Sequence, residues 1–384
     1  MKLFGKSAEA EAPAGDVTEE AVLNALRQVI DPDLHRNVVD LGFIKELKIC
    51  DGHVGFHMEL TTPACPVKDQ LQKAAEDVVM AVPGVKQVKV TMTAQVRQNK
   101  DPWSDRAPVP GVANIIAVAS GKGGVGKSTV AVNLAVALAR QGAKVGLMDA
   151  DIYGPSIPLM MGAQEERVRG TKEGHMIPLE AHGVKIVSIG FLLGKDAPVV
   201  WRGPMVGRAV QQLVRDCQWG ELDYLIIDMP PGTGDAQLSL GQGVPLAGGV
   251  IVTTPQDIAL LDAGRGLSMF RELKVPVLGI VENMSYFACP HCGEKTNIFS
   301  HGGGRTTAER LKVPFLGEIP LDVDVRIGGD TGAPIAASQP ESPQAEAFMD
   351  LASRVAAAAS IAAMDVKAQE EGFIPLNTLV GPRA

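Results

Sequence analysis

Two kinds of hydrophobic pattern divide this chain. From Val112 to about Met364, short runs that are apolar at nearly every position alternate with longer stretches that are apolar at every third or fourth residue. The short runs are Ala113 to Ala119, Val145 to Asp149, Val184 to Ile189, Tyr224 to Asp228, Val250 to Thr254, Val277 to Val281 and Phe315 to Ile319. A strand that is apolar on both sides is buried on both faces, and such strands separated by helices build a parallel sheet covered by helices. The expected fold class over 112–364 is therefore α/β with a mostly parallel sheet.

Ahead of Val112 the pattern changes. Residues 1–16 are rich in alanine and glutamate and read as a flexible tail. Thr18 can cap a helix running through Val22, Leu23, Leu26 and Ile30 and ending near Asp31-Pro32. Phe43 to Ile49 and Val54 to Leu60 read as strands joined by the turn Asp51-Gly52; a helix from Val67 to Ala81 and a strand from Val85 to Met92 follow. This predicts a small α+β domain over 17–97. Residues 98–111 hold three prolines and little that could enter a core, so they read as a linker. Ala345 to Ala363 reads as a closing helix and 365–384 as a C-terminal tail.

The first chemical signal lies between the first run and the helical pattern of Ser128 to Gln141, which stops at Gly142. Gly121-Lys122-Gly123-Gly124-Val125-Gly126-Lys127-Ser128-Thr129 satisfies the phosphate-loop pattern in its required strand, loop, helix context. Glycines let backbone N–H groups curl around phosphate oxygens, and the helix N-terminus adds positive potential. Lys127 can reach the outer phosphates and Ser128 can ligate Mg2+. Leu222 to Asp228 is an apolar run ending in a carboxylate, which makes Asp228 the candidate carboxylate behind the magnesium. The Gly- and Pro-rich stretch Met229 to Asp235 suits a switch that senses the terminal phosphate. Asp149-Ala150-Asp151 ends another strand, where a carboxylate could orient an attacking water.

Charge and cysteine usage narrow the partners. Hydrophobic residues make up 46% of the chain and charged ones 21%, and the net charge is −8, so a basic footprint for nucleic acid is missing. Lys2 and Lys6 are not followed by the apolar core of a signal peptide. The longest weakly polar run, Val355 to Met364, is too short to span a bilayer and has no basic face for a membrane surface. A cytoplasmic protein with no nucleic-acid or membrane partner is expected. Five cysteines, two of them in one short motif, suit metal or redox chemistry better than a disulfide framework.

That motif, Cys289-Pro290-His291-Cys292-Gly293, supplies two thiolates, while a tetrahedral zinc or a four-iron cluster wants four. Three readings compete: one edge of a cluster site, a structural zinc knuckle, or a thiol-disulfide active site. The last needs a helix after the first cysteine, where Gly293 to Asn297 reads as a turn. Ligand count does not separate zinc from iron and sulfide. Cys50, Cys65 and Cys217 are scattered, whereas a symmetric dimer would bring a second Cys289 and Cys292. Cys65, between two prolines, is equally a reactive thiol or a small buried hydrophobe.

The phosphate loop with its early Lys122, together with Asp149-Ala150-Asp151 and Asp228, resembles the ATPase group that includes MinD, ParA and the nitrogenase iron protein. That resemblance implies a homodimer sandwiching ATP, with Lys122 reaching the partner's nucleotide and Asn283 placed where the group reads the adenine base. Asp149 to Ser156, Asp228 to Asp235, and Val281-Glu282-Asn283-Met284-Ser285 leading to Cys289 and Cys292 resemble the Mrp/ApbC-type iron-sulfur cluster carriers from Val112 onward. Upstream, Asp31-Pro32, Val39-Asp40-Leu41-Gly42 and Thr61-Thr62-Pro63-Ala64-Cys65-Pro66 resemble the iron-sulfur assembly domain often fused in front of them. The resemblance implies a slow ATP hydrolase, with ATP and Mg2+ at Gly121 to Thr129 and Asp228. Asp151 is the water-orienting carboxylate on this view, and a labile 4Fe-4S cluster between paired Cys289 and Cys292 is handed to apo iron-sulfur proteins. The rival is a zinc-stapled, nucleotide-switched positioning or regulatory ATPase.

Overall fold

A computed structural model describes residues 17–96, 106–152, 154–172, 174–191 and 203–371. The tail over 1–16, most of the linker, Tyr153 and the final residues 372–384 lie outside the described residues. Its contacts divide the chain into two units, one of residues 1–61 and 67–95, the other of 62–66 and 96–384.

In the smaller unit, helix α1 (Glu19–Leu26) starts at Thr18, whose hydroxyl accepts from the Ala21 N–H, and buries Val22 and Leu26. Strands β1 (Ile44–Cys50) and β2 (His53–Leu60) form the expected hairpin, with Asp51 and Gly52 both at positive φ, as a two-residue turn of this hand requires. Along β2 burial alternates strictly, so Val54, Phe56, Met58 and Leu60 face one core. Helix α2 (Lys68–Met80) buries Leu71, Ala75 and Val79, one residue per turn. Strand β3 (Gln87–Ala94) then pairs with β2 in parallel, the connection being α2 itself.

The larger unit is built on an eight-stranded sheet. Its elements run β4 (Val112–Ala119), α3 (Lys127–Arg140), β5 (Val145–Asp149), β6 (Leu179–Ala181), β7 (Val184–Ser188), α4 (Gly203–Asp216), β8 (Leu222–Asp228), α5 (Asp235–Gly243), β9 (Gly248–Thr253), α6 (Asp257–Glu272) and β10 (Val277–Asn283). A small hairpin, β11 (Phe287–Ala288) with β12 (Lys295–Thr296), precedes α7 (Gly303–Leu311), β13 (Phe315–Ile319), α8 (Val323–Thr331) and α9 (Pro343–Glu371). The strand order is β6-β7-β5-β8-β4-β9-β10-β13, and every pairing except β6 with β7 is parallel. The expected α/β class is the observed one. One short antiparallel edge, β6, has no counterpart in the sequence reading.

Two apolar layers sandwich this sheet. One holds α3 and α9, with Leu134, Leu138, Phe348, Leu351 and Val355 among its fully buried side chains; the other holds Val214, Leu240, Leu267 and Phe270 from the opposite helices and Trp219 from the segment after α4. Buried on all sides, α3 has almost no polar face, as an inner helix must. The closing helix α9 departs from the expectation in length, running on to Glu371 where a tail from 365 was expected. By length and composition its span Pro343–Met364 would also pass for a membrane helix, longer than the run Val355 to Met364 suggested. It lays Ala345, Phe348, Leu351, Ala352, Val355, Ala356 and Ala359 in the core beside α3, as the core helix of a sheet domain does.

Successive strands leave β4 first toward β5 and then, beginning with β9, toward the other edge. The sheet therefore has its switch point at β4, and the loops after the carboxyl ends of β4, β5, β8 and β10 converge there.

Candidate functional site

The loop between β4 and α3 is shaped by glycines. Gly124 and Gly126 have φ of 81° and 79°, a region that side chains disfavour. Nothing lies within 4 Å of where a Cβ on Gly124 would stand, leaving open space over the loop, whereas a Cβ on Gly126 would collide with Asn283 Nδ2. Gly121 is packed so closely on the backbone of Asp262 in α6 that it too admits no side chain. Gly123 and Gly124 are exposed, Val125 is buried as the loop's anchor, and Thr129 lies in the first turn of α3. The cradle thus consists of bare backbone at a helix N-terminus, the arrangement that receives phosphate.

Lys127, Ser128 and Asp228 come together beneath it. Lys127 Nζ donates to Asp228 Oδ1 at 2.6 Å, and Ser128 Oγ donates to Asp228 Oδ2 at the same 2.6 Å. The Asp228 side chain is fully buried, and burial raises its carboxyl above the usual range against the downward pull of Lys127 and Ser128. Asp149, opposite Asp228 in the neighbouring strand, is equally buried. Its carboxylate accepts from the backbone N–H of Asp151 at 3.0 Å and of Ile157 at 3.2 Å, and from Ser188 Oγ at 3.1 Å. Burial first, and the Asp228 charge second, push the Asp149 carboxyl up to about 7.

These contacts separate two carboxylates that the sequence treats as a pair. Asp149 faces inward and holds the backbone of Asp151 and Ile157 at the end of the sheet; Asp151 is only half-buried, and its charge is felt at Asp228. Of the two, only Asp151 is open to a water. On the far side, Met229 N–H donates to Val118 O at 3.0 Å and Gly232 N–H to Ser120 O at 3.0 Å, while Gln237 Nε2 donates to Pro230 O and Pro231 O at 3.1 and 2.7 Å. The Gly- and Pro-rich stretch after β8 therefore lies directly beside the phosphate loop, held by a buried glutamine that the sequence reading did not single out.

Asn283 closes β10 and donates through Nδ2 to Val125 O at 2.9 Å, so the structure places it on the phosphate loop itself. Lys122 is half-buried; among the described residues its ammonium has no hydrogen bond or ion pair, and only its carbonyl is engaged, by Ser120 Oγ at 2.9 Å. Of the nucleotide-site candidates, it is the cation left free.

The cysteine motif sits apart, at the tip of the β11–β12 hairpin. Cys289 N–H donates to Glu294 O at 2.9 Å and Gly293 N–H to Cys289 O at 2.8 Å, with Gly293 at a φ of 73°. Hydrogen bonds from the backbone N–H groups of Cys292 and His291 pull the Cys289 thiol below its ordinary range. Backbone donors aimed at a sulfur stabilise a thiolate, the form that binds metal. Cys292 is exposed and Cys289 half-buried, no helix follows Cys289, and the thiol-disulfide reading loses its structural basis. Among the described residues no third Cys, His, Asp or Glu joins the pair to make a metal site. Cys50 is exposed, Cys217 is buried with its thiol pushed up to about 12 by burial, and Cys65 is half-buried.

Comparison with known proteins agrees with this geometry. A family model described as NUBPL iron-transfer P-loop NTPase matches residues 111–356, and one described as iron-sulfur cluster assembly protein matches 19–92. The iron-sulfur cluster carrier protein of Synechocystis is 51% identical over 352 residues, covering 91% of this chain and 99% of that relative. That of Deinococcus radiodurans is 50% identical over 342 residues, covering 89% and 96%. Among solved structures, a nucleotide-binding protein from Archaeoglobus fulgidus in complex with ADP is 41% identical, covers 62% of this chain and 93% of its own, and superposes with a TM-score of 0.55. The phosphate-loop unit and the small unit ahead of it thus find their counterparts together: the chain belongs to the NUBPL-type iron-transfer P-loop NTPases, with an iron-sulfur cluster assembly domain in front.

Proposed function

We propose that this protein is a cytoplasmic, homodimeric ATPase that holds a 4Fe-4S cluster between the Cys289 and Cys292 pairs of two subunits and passes it to apo iron-sulfur proteins. The observation that carries this reading is the cysteine hairpin. It presents a pair of cysteines at an exposed tip, the Cys289 thiol lowered by backbone donors, with no third ligand among the described residues. A four-iron cluster bound by thiolates takes four of them, which two copies of one hairpin supply. Cluster release to a recipient is then ligand exchange at an accessible edge, with no buried site to open.

The nucleotide part follows from the phosphate cradle. The backbone N–H groups of Gly123 to Lys127 would surround the phosphates, and Lys127 would turn from Asp228 toward their outer oxygens. Magnesium held at Ser128 Oγ, with Asp228 behind it, would neutralise phosphate charge. Asp151 would orient the water that attacks the γ-phosphorus, the bond to the bridging oxygen breaking as ADP leaves. Lys122, free in one subunit, would stabilise the phosphates of the other's nucleotide. The ADP complex of the Archaeoglobus fulgidus relative supports nucleotide binding at such a cradle. Slow turnover suits a nucleotide that acts as a switch on cluster transfer.

Anaerobic purification and reconstitution test this, with iron, acid-labile sulfide and zinc measured on the same sample. Equal iron and sulfide, four of each per dimer, with a broad thiolate-to-iron absorption band, is the expected result. Stoichiometric zinc with no sulfide would establish a zinc-stapled ATPase in its place.

A further inference from the structure

Strand β10 carries one charged side chain, Glu282, and it is fully buried. A carboxylate in such a place is tolerated only where its oxygens are hydrogen-bonded. Here Oε1 accepts from Ser285 Oγ at 2.6 Å and from Gly302 N–H at 3.0 Å, and Oε2 accepts from Gly304 N–H. Ser285 Oγ is also 3.0 Å from His301 Nδ1. Among the described residues no lysine or arginine pairs with Glu282; the N-terminus of α7 supplies the positive potential.

The order of these partners along the chain matters more than their number. Ser285 precedes Cys289, whereas His301, Gly302 and Gly304 follow Cys292. One carboxylate therefore ties together the two ends of the loop that bears the cysteine hairpin. The next residue, Asn283, donates to Val125 O in the phosphate loop.

Two glycines let this strand end sit between both sites. A Cβ on Gly304 would stand 3.0 Å from Glu282 Cβ and 3.0 Å from its Oε2, and one on Gly126 would collide with Asn283 Nδ2. Met284, between the two contacts, has a φ of 54°, a strained conformation for a residue with a side chain. Strain of this kind persists only where the surroundings hold it, and here those surroundings are the nucleotide cradle on one side and the cysteine loop on the other.

We infer that Glu282 is a positioning residue, a clasp on the base of the cysteine loop through which nucleotide occupancy sets how readily the cluster leaves. The inference rests on the carrier function proposed above. Filling the cradle moves the phosphate loop against Asn283, the strand end shifts with it, and the clasp tightens or slackens on Ser285 and Gly302. By linkage the effect is reciprocal, so the cluster changes nucleotide affinity by the same factor as nucleotide changes cluster affinity.

Cluster transfer to an apo-ferredoxin, followed by absorbance with and without ATP, tests this on the full-length reconstituted dimer. Wild type should show rates that differ by at least about fivefold between the two conditions. In Glu282→Gln the rates should fall within about twofold of each other, while the holoprotein's absorption spectrum and its ATP affinity before cluster loading stay those of wild type. Ser285→Ala and Gly304→Ala disturb the same clasp from either end of the loop and should reduce the ratio likewise; they decide the matter if Glu282→Gln does not fold. A wild-type ratio in the folded variants would overturn the clasp. A wild-type protein that transfers its cluster at one rate with or without ATP would also overturn it, with cluster carriage itself intact. Absence of a cluster would instead remove the carrier function.

Discussion

Lys127 Nζ lies 2.6 Å from Asp228 Oδ1 with both side chains buried, so the lysine of the phosphate loop neutralises a carboxylate at the end of the neighbouring strand. On the function proposed above, a nucleotide would compete for that ammonium, and Ser128 would turn from Asp228 to meet magnesium. That competition would leave the Asp228 charge less balanced once phosphate arrived, which would tie nucleotide binding to the strand that carries Asp228.

Replacing Lys127 by alanine should accordingly do two things. It should abolish tight ATP binding, and it should leave Asp228 buried without a counter-charge, costing about 3–5 kcal/mol near neutral pH. The carboxyl, already raised by burial, rises further without the lysine. A carboxyl whose folded pKa exceeds its unfolded value favours the folded state at low pH and loses that contribution as pH climbs through the folded pKa. Denaturant titrations should therefore show the variant's deficit shrinking on acidification. A deficit that grew as pH fell would contradict the assignment. Reconstitution of the cluster in vitro should survive, since the thiols are untouched.

Asp149 offers a second titration, its carboxyl raised by burial and by the Asp228 charge beside it. With its carboxyl at about 7 against 3.8 unfolded, the folded protein holds a proton that the unfolded chain has released across that interval. Its contribution to stability is complete below about pH 4 and is lost as pH rises to about 7. Asp149→Asn should flatten the pH dependence of the urea midpoint over this window in nucleotide-free protein. An unchanged slope would mean that another group titrates there.

Where the sequence was readable, the reason was periodicity or a required backbone. Val145–Asp149 and Phe315–Ile319 begin and end where their apolar runs do, and Gly124 and Gly126 announce the phosphate loop because only glycine takes their conformation. The end of α9 was not readable: Asp365 to Glu371 is mostly polar, with Val366 and Ala368 its two apolar residues, too few and too closely spaced to mark a helical face. Nor were the contacts that organise the site. Asn283 reaches Val125 across 158 positions, and Glu282 gathers donors from both sides of the cysteine loop, pairings that only the folded sheet creates. A charged residue inside an otherwise apolar strand was the available signal for Glu282. The different fates of Asp149 and Asp151 had none, because strand registration decides which carboxylate faces the core.

The cysteines should differ in reactivity by environment. Cys289, its thiol lowered by the N–H groups of Cys292 and His291, should alkylate with iodoacetamide at neutral pH well before Cys217, which is buried with its thiol near 12. Mass spectrometry of briefly labelled cluster-free protein reads the order directly, and Cys217 labelling first would contradict the hairpin geometry. Loading the cluster should protect Cys289 and Cys292 together. Serine at either position should prevent stable cluster binding yet leave ATP affinity within about twofold of that of cluster-free wild type, the two sites sharing no side chain.

The dimer is the most exposed expectation, because the hairpin provides two thiolates where a cluster takes four. If iron joins the subunits, chelating it should shift the protein toward monomer, and the Cys289→Ser, Cys292→Ser double variant should be monomeric without nucleotide. ATP then supplies a second bridge. Lys122 has no partner for its ammonium among the described residues, so in the dimer it is available to the nucleotide of the other subunit. Adding ATP to the double variant should restore dimer, and Lys122→Ala in that background should remove the restoration while each monomer still binds nucleotide through Lys127. Light scattering on these proteins, loaded and stripped, with and without ATP, separates the two bridges. A monomer carrying a complete four-iron cluster would require ligands from Cys50, Cys65 or Cys217 and would end the bridged-dimer account.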